Sequence, residues 1–545
     1  MTAQKPDSWN DGFWQGLILL AFLIFWGPLV KIQPALVTGD MGRDIYGFWR
    51  TSLGEWPCRD YWWQYGPLAP LYFAFWFWVG GVHLMSVRLA LGFLLLICSL
   101  GAYRTLRLFV SAPLAFLSSL AFLSLDVAYS THHVRLRDIA HGFNQYGVLP
   151  FLLFSIYFLW KFFLTRRVRW CYGGIFSLGA IALVKISTGA SSFAAFFVSL
   201  LMDRLVPGRE DFSGPLPWKH FIFLPLLFAL TALAGYVPLY WGLPFEWIDQ
   251  CLTLKRTLQV HPYSFSDDFK HGVLWFLVWD RKRLLWLAGF FIIGILGVVH
   301  LIKEGPARER KVFALATFSA LLYGVFNSLD YFVDGVIHRV DFWFFPILVL
   351  LMGLWGDRAA GIFPRKIRAG LGVLIFFLVL WIPFENLKEA LAWRTPERFL
   401  RAPHGQVFLG GSPSFPRVLN EGTDFILQHT QPGQSLLAVP FDPLYCFLTG
   451  RRHAVRELLF TEYMQISETR EEEIIQELEN EQVPFVIVSN RLISKEWGFG
   501  QFGKTFLTKL APYLAAHYRE AATFGPWESG NYLNLHAIKV LERIS

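Results

Sequence analysis

Between Gly39 and Pro67 the chain reads GDMGRDIYGFWRTSLGEWPCRDYWWQYGP, a stretch with three aspartates, one glutamate and three arginines set between apolar runs. Asp40 and Asp44 are four residues apart, so in a helical turn they share a face and repel unless a cation or a substrate is served. A carboxylate here can act as general base, taking a proton from an acceptor hydroxyl. Asp60 adds a third carboxylate farther along the same stretch.

A second set of residues has the opposite charge. The segment THHVRLRDIAHG (131–142) carries His132, His133, Arg135, Arg137, Asp138 and His141, and Lys185 sits in LVKISTG between apolar runs. FVDGVIHRVD (332–341) adds Asp334, His338, Arg339 and Asp341. Arginine, lysine and histidine suit a diphosphate or a lipid monophosphate, and can stabilise the phosphate as it leaves. The histidine spacing would also suit a metal, but the crowding by arginine favours an anion. Each charge taken alone reads as a solvated loop residue, in pairs that contribute about 0–1 kcal/mol. Lys185 alone reads as a side chain snorkelling to the headgroups. The set is harder to explain that way. No serine-hydrolase elbow, zincin motif, Walker loop or paired-cysteine metal site is present.

The elements that must position these residues are membrane helices. Of the 545 residues 54% are hydrophobic, 18% aromatic and only 17% charged, with a mean hydropathy of +0.40. A soluble chain of this length has no interior for so much Phe, Leu and Trp. Spans of about 18–20 apolar residues fall near 13–31, 83–103, 109–127, 146–164, 171–184, 188–202, 220–240, 284–302, 312–329, 341–356 and 368–384. That gives about eleven, the fifth and sixth short and close together. Leu68 to Gly80 is apolar too, but its length and Pro70 suit a helix lying along the bilayer surface. The first run lacks a basic n-region and a small-residue cleavage site, so it reads as a retained span.

With the N-terminus in the cytoplasm, the short loops rich in Arg and Lys, such as TRRVRW (165–170) and KEGPARERK (303–311), fall inside as the positive-inside rule requires. The outer side then receives the first loop, 31–82, the segments 128–145, 241–283 and 330–340, and everything after about 385. The cluster Arg281-Lys282-Arg283 runs against the rule. The net charge of +8 follows from the inner loops and calls for no nucleic acid. Cys58, Cys251 and Cys446 fall outside, where either a disulfide or free thiols would fit. Residues 1–384 thus form a transmembrane domain and 385–545 an outer α/β domain. In the latter, 419–430 and 471–481 read as helices and 435–441, 484–490 and 534–544 as strands. No internal repeat of the kind that marks many transporters appears.

The order "Asp, x, Tyr, a short helix, Gly, aromatic, Asp, then Gly-Pro-Leu and an apolar helix" resembles the GT-C superfamily of polyprenyl-phosphate-sugar glycosyltransferases. Bacterial relatives of the protein O-mannosyltransferases and of the lipid A aminoarabinose transferases belong to it. The residues that carry the likeness are GDMGRDIY (39–46), GEWPCRDYWWQYGPL (54–68), Arg88 in VHLMSVRLALGFLL and Lys185 in LGAIALVKISTG (178–189). The tail, with 426–452 and 510–527, is similar to the outer α/β domain of bacterial members.

The resemblance implies a GT-C-like fold of about eleven helices with a C-terminal α/β domain, in the bacterial inner membrane. It implies transfer of a sugar from a polyprenyl-phosphate donor to a lipid, glycan or protein acceptor on the outer face. Asp44 matches the family's essential acidic residue, as base or ligand of an assisting divalent cation, with Asp40 its close rival and Asp60 in support. Arg135, Arg137 and Lys185 would hold the lipid phosphate, helped by His132 and His133. Asp138 matches a second-loop acidic position. A transporter or flippase of lipid-linked glycans, a glycan polymerase and a non-catalytic scaffold are the competing readings.

Overall fold

The computed structural model describes residues 8–33, 39–123, 142–205, 216–252, 308–333, 347–356 apart from 348, 387–410, 412–464, 466–493, 500–528 and 535–544, with isolated helical residues between 289 and 385. Its helices are α1 (Ser8–Trp26), α2 (Asp40–Ser52), α3 (Leu68–Gly80), α4 (Leu84–Leu106), α5 (Ala112–Leu123), α6 (Gly142–Thr165), α7 (Arg169–Val184), α8 (Ile186–Leu205), α9 (Trp218–Tyr240), α10 (Phe245–Leu252) and α11 (Arg308–Val333). Among the described residues five helices are long and apolar enough to cross a membrane, namely α1, α4, α6, α8 and α9. Four of them coincide with the expected spans at 83–103, 146–164, 188–202 and 220–240. The fifth, α1, begins a few residues ahead of the expected 13–31.

Burial sorts these helices. About two thirds of the spanning window is buried in α4 and α6 (67% each), against 22% in α1 and 17% in α9. The first two therefore form the centre of the bundle. Phe13, Leu23, Ile222, Phe223 and Leu230 are exposed on the other two, as lipid-facing side chains must be. Helix α3 has 13 residues and rises about 20 Å at 1.5 Å per residue, too short for a hydrocarbon core of about 30 Å. It packs along α2, with Phe48 and Phe73 stacked at 4.3 Å. The expected spans at 284–302 and 368–384 lie outside the described residues, isolated helical positions excepted.

Beyond 390 the chain builds two sheets. A three-stranded sheet takes β1 (Ile32–Gln33), from just after the first span, in parallel against β3 (Val407–Leu409), which pairs antiparallel with β2 (Phe399–Leu400). Helices α12 (Ser414–His429), α13 (Leu444–Thr449), α14 (Glu468–Asn480) and α15 (Leu510–His517) accompany a five-stranded sheet. Its strands are β4 (Ser435–Val439), β5 (Arg452–His453), β6 (Phe485–Ser489), β7 (Tyr518–Phe524) and β8 (Ile538–Arg543), in the order β5-β4-β6-β8-β7. β4 lies parallel to β5 and β6, while β8 runs antiparallel to β6 and β7. Every residue of β6, Phe-Val-Ile-Val-Ser, is buried, as a central strand covered on both faces requires.

A continuous apolar core runs from Ile18 and Trp160 among the membrane helices through Met41, Ile45 and Phe48 of α2 to Leu444, Phe447 and Val540. Helix α2 is the joint. Toward the C-terminal region, Trp49 meets Phe447 edge-on at 6.2 Å, and the His453 N–H donates to the Tyr46 hydroxyl at 2.8 Å. Arg50 donates to Tyr46 and Glu55, and Arg452 reaches Glu55 at 3.0 Å.

Candidate functional site

Helix α2 begins with Asp40 in its first turn, where a carboxylate complements the positive end of the helix dipole, and carries Arg50 in its last. All of Met41 to Thr51 is buried. For a segment with three charged side chains (Arg43, Asp44 and Arg50) this is unusual, and it demands internal pairing. Arg43 supplies that pairing. Its Nε and Nη2 donate to Asp44 Oδ1 at 2.8 and 2.6 Å, and its Nη1 donates to Asp40 Oδ1 at 3.2 Å. The repulsion expected between Asp40 and Asp44 is thus resolved by a cation from the same helix. Arg43 occupies the place between the carboxylates that a divalent cation would need, so this pair does not fit a metal in the arrangement seen. Among the described residues no three His, Cys, Asp or Glu side chains gather as metal ligands.

The two carboxylates differ in access. Arg43 and Asp44 are 1% and 0% exposed, whereas Asp40 retains 21%. The Arg43 guanidinium lies over three rings, Trp62 at 5.6 Å, Tyr65 at 5.5 Å and Phe441 at 5.7 Å. Phe441 also carries Arg491 at 5.1 Å, so arginines from the first loop and from the C-terminal region share one ring. A side chain at Gly39 would collide with the Arg491 guanidinium, which therefore rests against the start of α2. Only glycine allows that approach.

Lys185 joins the cluster through the backbone. It is the extended residue between α7 and α8, its N–H bonded to the Ile181 carbonyl at 2.8 Å and its carbonyl accepting from Gly189 N–H at 3.0 Å. The Gly66 N–H donates to the Val184 carbonyl at 3.0 Å. That contact sets Tyr65 beside the break, where its phenol lies within electrostatic reach of Arg43, Asp44, Lys185 and Asp40. Burial pushes the phenol up to about 12 against the pull of Arg43.

Asp60 is exposed and accepts from the Trp56 N–H at 2.7 Å, closing its own turn. Arg88 is buried in α4 with its guanidinium over Trp26 at 5.8 Å. His132, His133, Arg135, Arg137 and Asp138 lie outside the described residues.

Neither a family model nor a curated protein matches the chain by sequence. Solved structures match by fold. ArnT from Cupriavidus metallidurans in the apo state gives a TM-score of 0.53 at 16% identity, over 97% of this chain and 98% of that one. The fold is that of ArnT. The same protein bound to undecaprenyl phosphate gives a TM-score of 0.50 at 14% identity, over 97% of each chain. The likeness in fold extends over nearly the whole length of both chains.

On this ArnT-like frame residues absent from the sequence reading stand at the cluster, among them Trp62, Tyr65, Phe441 and Arg491. Phe441 and Arg491 closely follow β4 and β6, which are parallel neighbours. Open α/β sheets place ligand-contacting residues outside the carboxyl ends of such strands, and that rule, applied to SLLAVPF and PFVIVSN, would have pointed to both.

Burial pushes Asp44 up to about 7, with Arg43 opposing. The ordinary value is about 3.9, so the folded state binds this proton more tightly than the unfolded one. The contribution to stability is greatest below about pH 4, declines as pH rises to about 7 and is constant above. The melting temperature of the wild type minus that of Asp44→Asn should accordingly fall between pH 4.5 and 7 and level off beyond. A difference that grows with pH would mean that Arg43 holds Asp44 below its ordinary range.

Proposed function

We propose that the protein is an inverting glycosyltransferase that takes a sugar from a polyprenyl-phosphate donor and passes it to a hydroxyl of a lipid, glycan or protein acceptor. The observation that carries this reading is the convergence of Asp40, Arg43, Asp44, Tyr65 and Lys185 beside the bundle. A proton acceptor and cations suited to a phosphate stand together there. The ArnT fold supports it further, since ArnT itself has been crystallised with undecaprenyl phosphate.

In this reaction the acceptor oxygen attacks the anomeric carbon and its proton passes to a carboxylate. The bond from that carbon to the phosphate oxygen breaks, and the lipid phosphate leaves with both bonding electrons. Asp40 is the carboxylate assigned to the proton. Asp44, favoured by the motif alone, is enclosed by Arg43 and offers an acceptor no access, whereas Asp40 is partly open. Arg43 and Asp44 then hold Asp40 in place. Lys185 meets the donor phosphate, joined from the second loop by Arg135 and Arg137 with His132 and His133, while Asp138 contacts substrate. In this reading the chain lies in the bacterial inner membrane with its N-terminus cytoplasmic, and the cluster and the C-terminal domain face outward.

Purified protein in detergent, given a synthetic short-chain polyprenyl-phosphate sugar and candidate acceptors, should release polyprenyl phosphate with formation of a glycoside of inverted configuration. Mass spectrometry reads the first product and NMR the second. A flippase would leave the donor intact under these conditions. Absence of turnover from membrane extracts that bind the donor would overturn the assignment.

A further inference from the structure

All five cysteines are buried thiols, but two of them, far apart in sequence, meet. Cys58 of the first loop and Cys251 of α10 lie within hydrogen-bonding reach of each other. The Cys58 thiol donates to the Trp63 carbonyl at 3.1 Å, and the Cys251 sulfur lies against the backbone of the same Trp63. The segments that carry them are fastened on either side. The Trp62 indole N–H donates to the Gln250 carbonyl at 3.2 Å. Arg456 donates to the Cys58 carbonyl at 3.3 Å and to the Gln250 side chain.

The backbone at Cys58 is also set for this meeting. Its φ of 66° is in the left-handed region, uncommon for a residue with a Cβ and maintained only where surroundings enforce it. The turn that enforces it is closed by the Cys58 N–H to the Tyr61 carbonyl at 2.9 Å, with the Tyr240 hydroxyl against the sulfur. Burial pushes both thiols up. For Cys251 the contact with the Cys58 sulfur and the Arg456 guanidinium outweigh burial, so it lies below its ordinary value and is the better nucleophile,.

We propose that Cys58 and Cys251 form a disulfide that ties the first loop to α10. The oxidant is a disulfide-bearing exchange partner acting before the loop closes over the sulfurs. The Cys251 thiolate attacks one sulfur of that partner, forming a mixed disulfide and expelling a thiolate. Cys58, losing its proton, then attacks the Cys251 sulfur and expels the second thiolate. Two electrons and two protons pass to the partner, which leaves as a dithiol. The bond stands next to Trp62, the ring over Arg43, and fixes that wall of the charged cluster. Cys446, the third cysteine expected outside, is a buried thiol with Arg50 near it. Formation of the bond in cells rests on the outward orientation proposed above. Its formation in purified protein does not.

Full-length protein, reduced and loosened in a harsh detergent and then returned to a mild one in a mostly oxidised glutathione buffer, should yield on alkylation and digestion one peptide pair joining Cys58 to Cys251. The pair should be lighter by about 2 Da than the two free peptides. Cys98, Cys171 and Cys446 should be alkylated only after unfolding, and Cys58→Ser should leave Cys251 alkylated rather than bridged elsewhere. Recovery of both residues as alkylated or glutathionylated peptides, or in a bridge with another cysteine, would overturn the proposal. The same mapping on cells alkylated before lysis, with a compartment reporter fused to the C-terminus, separates the two assumptions. A reporter outside with both thiols reduced would overturn the bond in cells. A reporter inside would overturn the orientation while the detergent result still decides the pairing.

Discussion

Replacing Asp40 by asparagine should lower the rate of transfer from a polyprenyl-phosphate sugar by about 10²–10⁴-fold, the contribution of a positioned general base, while the melting temperature stays near that of the wild type. Asparagine keeps the size of the side chain and an oxygen that can accept from Arg43 Nη1, now at 3.2 Å. What it loses is the capacity to take a proton. The loss should appear in kcat with KM for the lipid donor nearly unchanged, as for an interaction made only in the transition state. Asp44→Asn should behave differently. It leaves Asp40 in place but removes one charge from the fully buried pair, so stability and activity should change together. Near-normal transfer by Asp40→Asn, with a stable but inactive Asp44→Asn, would return the proton to Asp44.

The bundle was legible in sequence because a span needs about 20 apolar residues and little else. Helix α3 could be separated from the spans for the same reason, since Leu68 to Gly80 is too short. Strands β4 and β6 were legible as apolar runs bounded by polar residues. β7 was not, because Tyr-Arg-Glu-Ala-Ala-Thr-Phe mixes charges with small residues and is exposed along most of its length. The site was only half legible. Asp40, Asp44 and Lys185 could be singled out by type and place.

The pairing of Arg43 with Asp44 could not be read in the same way. Neighbouring residues on a helix point about 100° apart and do not face one another by any local rule. What turns the guanidinium back along the helix is the enclosure by Trp62, Tyr65 and Phe441, the last of which arrives from the far end of the chain. Asp60 shows the opposite limit. By type and spacing it could serve chemistry, and no spacing would have shown that it also closes its own turn by accepting from the Trp56 N–H.

Arg43→Ala should be the most destabilising single change in the cluster, by about 3–5 kcal/mol, the usual cost of removing one partner from a buried ion pair. The guanidinium is 1% exposed and its partner Asp44 0%, so water cannot replace the lost donors. Asp44 would be left as an uncompensated buried carboxylate and would bind its proton more tightly than before. The penalty should therefore be smallest at low pH, where Asp44 is neutral with or without Arg43, and grow as pH rises through about 7 toward the variant's own, higher Asp44 value,. Arg43→Lys should recover little. A lysine ammonium is a point donor on a flexible stem, whereas Arg43 spans two carboxylates with a rigid fork. An Arg43→Met/Asp44→Leu double variant should recover much of the stability, because an apolar pair of similar volume needs no charge compensation. It should recover no transfer, because Asp40 would stand without the cation that orients it. Thermal unfolding in detergent between pH 5 and 8 reads the first expectation, and donor turnover reads the second. Equal instability of the single and double variants would assign the loss to packing against Trp62 and Phe441. A double variant both stable and active would show that Asp40 needs no help from Arg43 to take its proton.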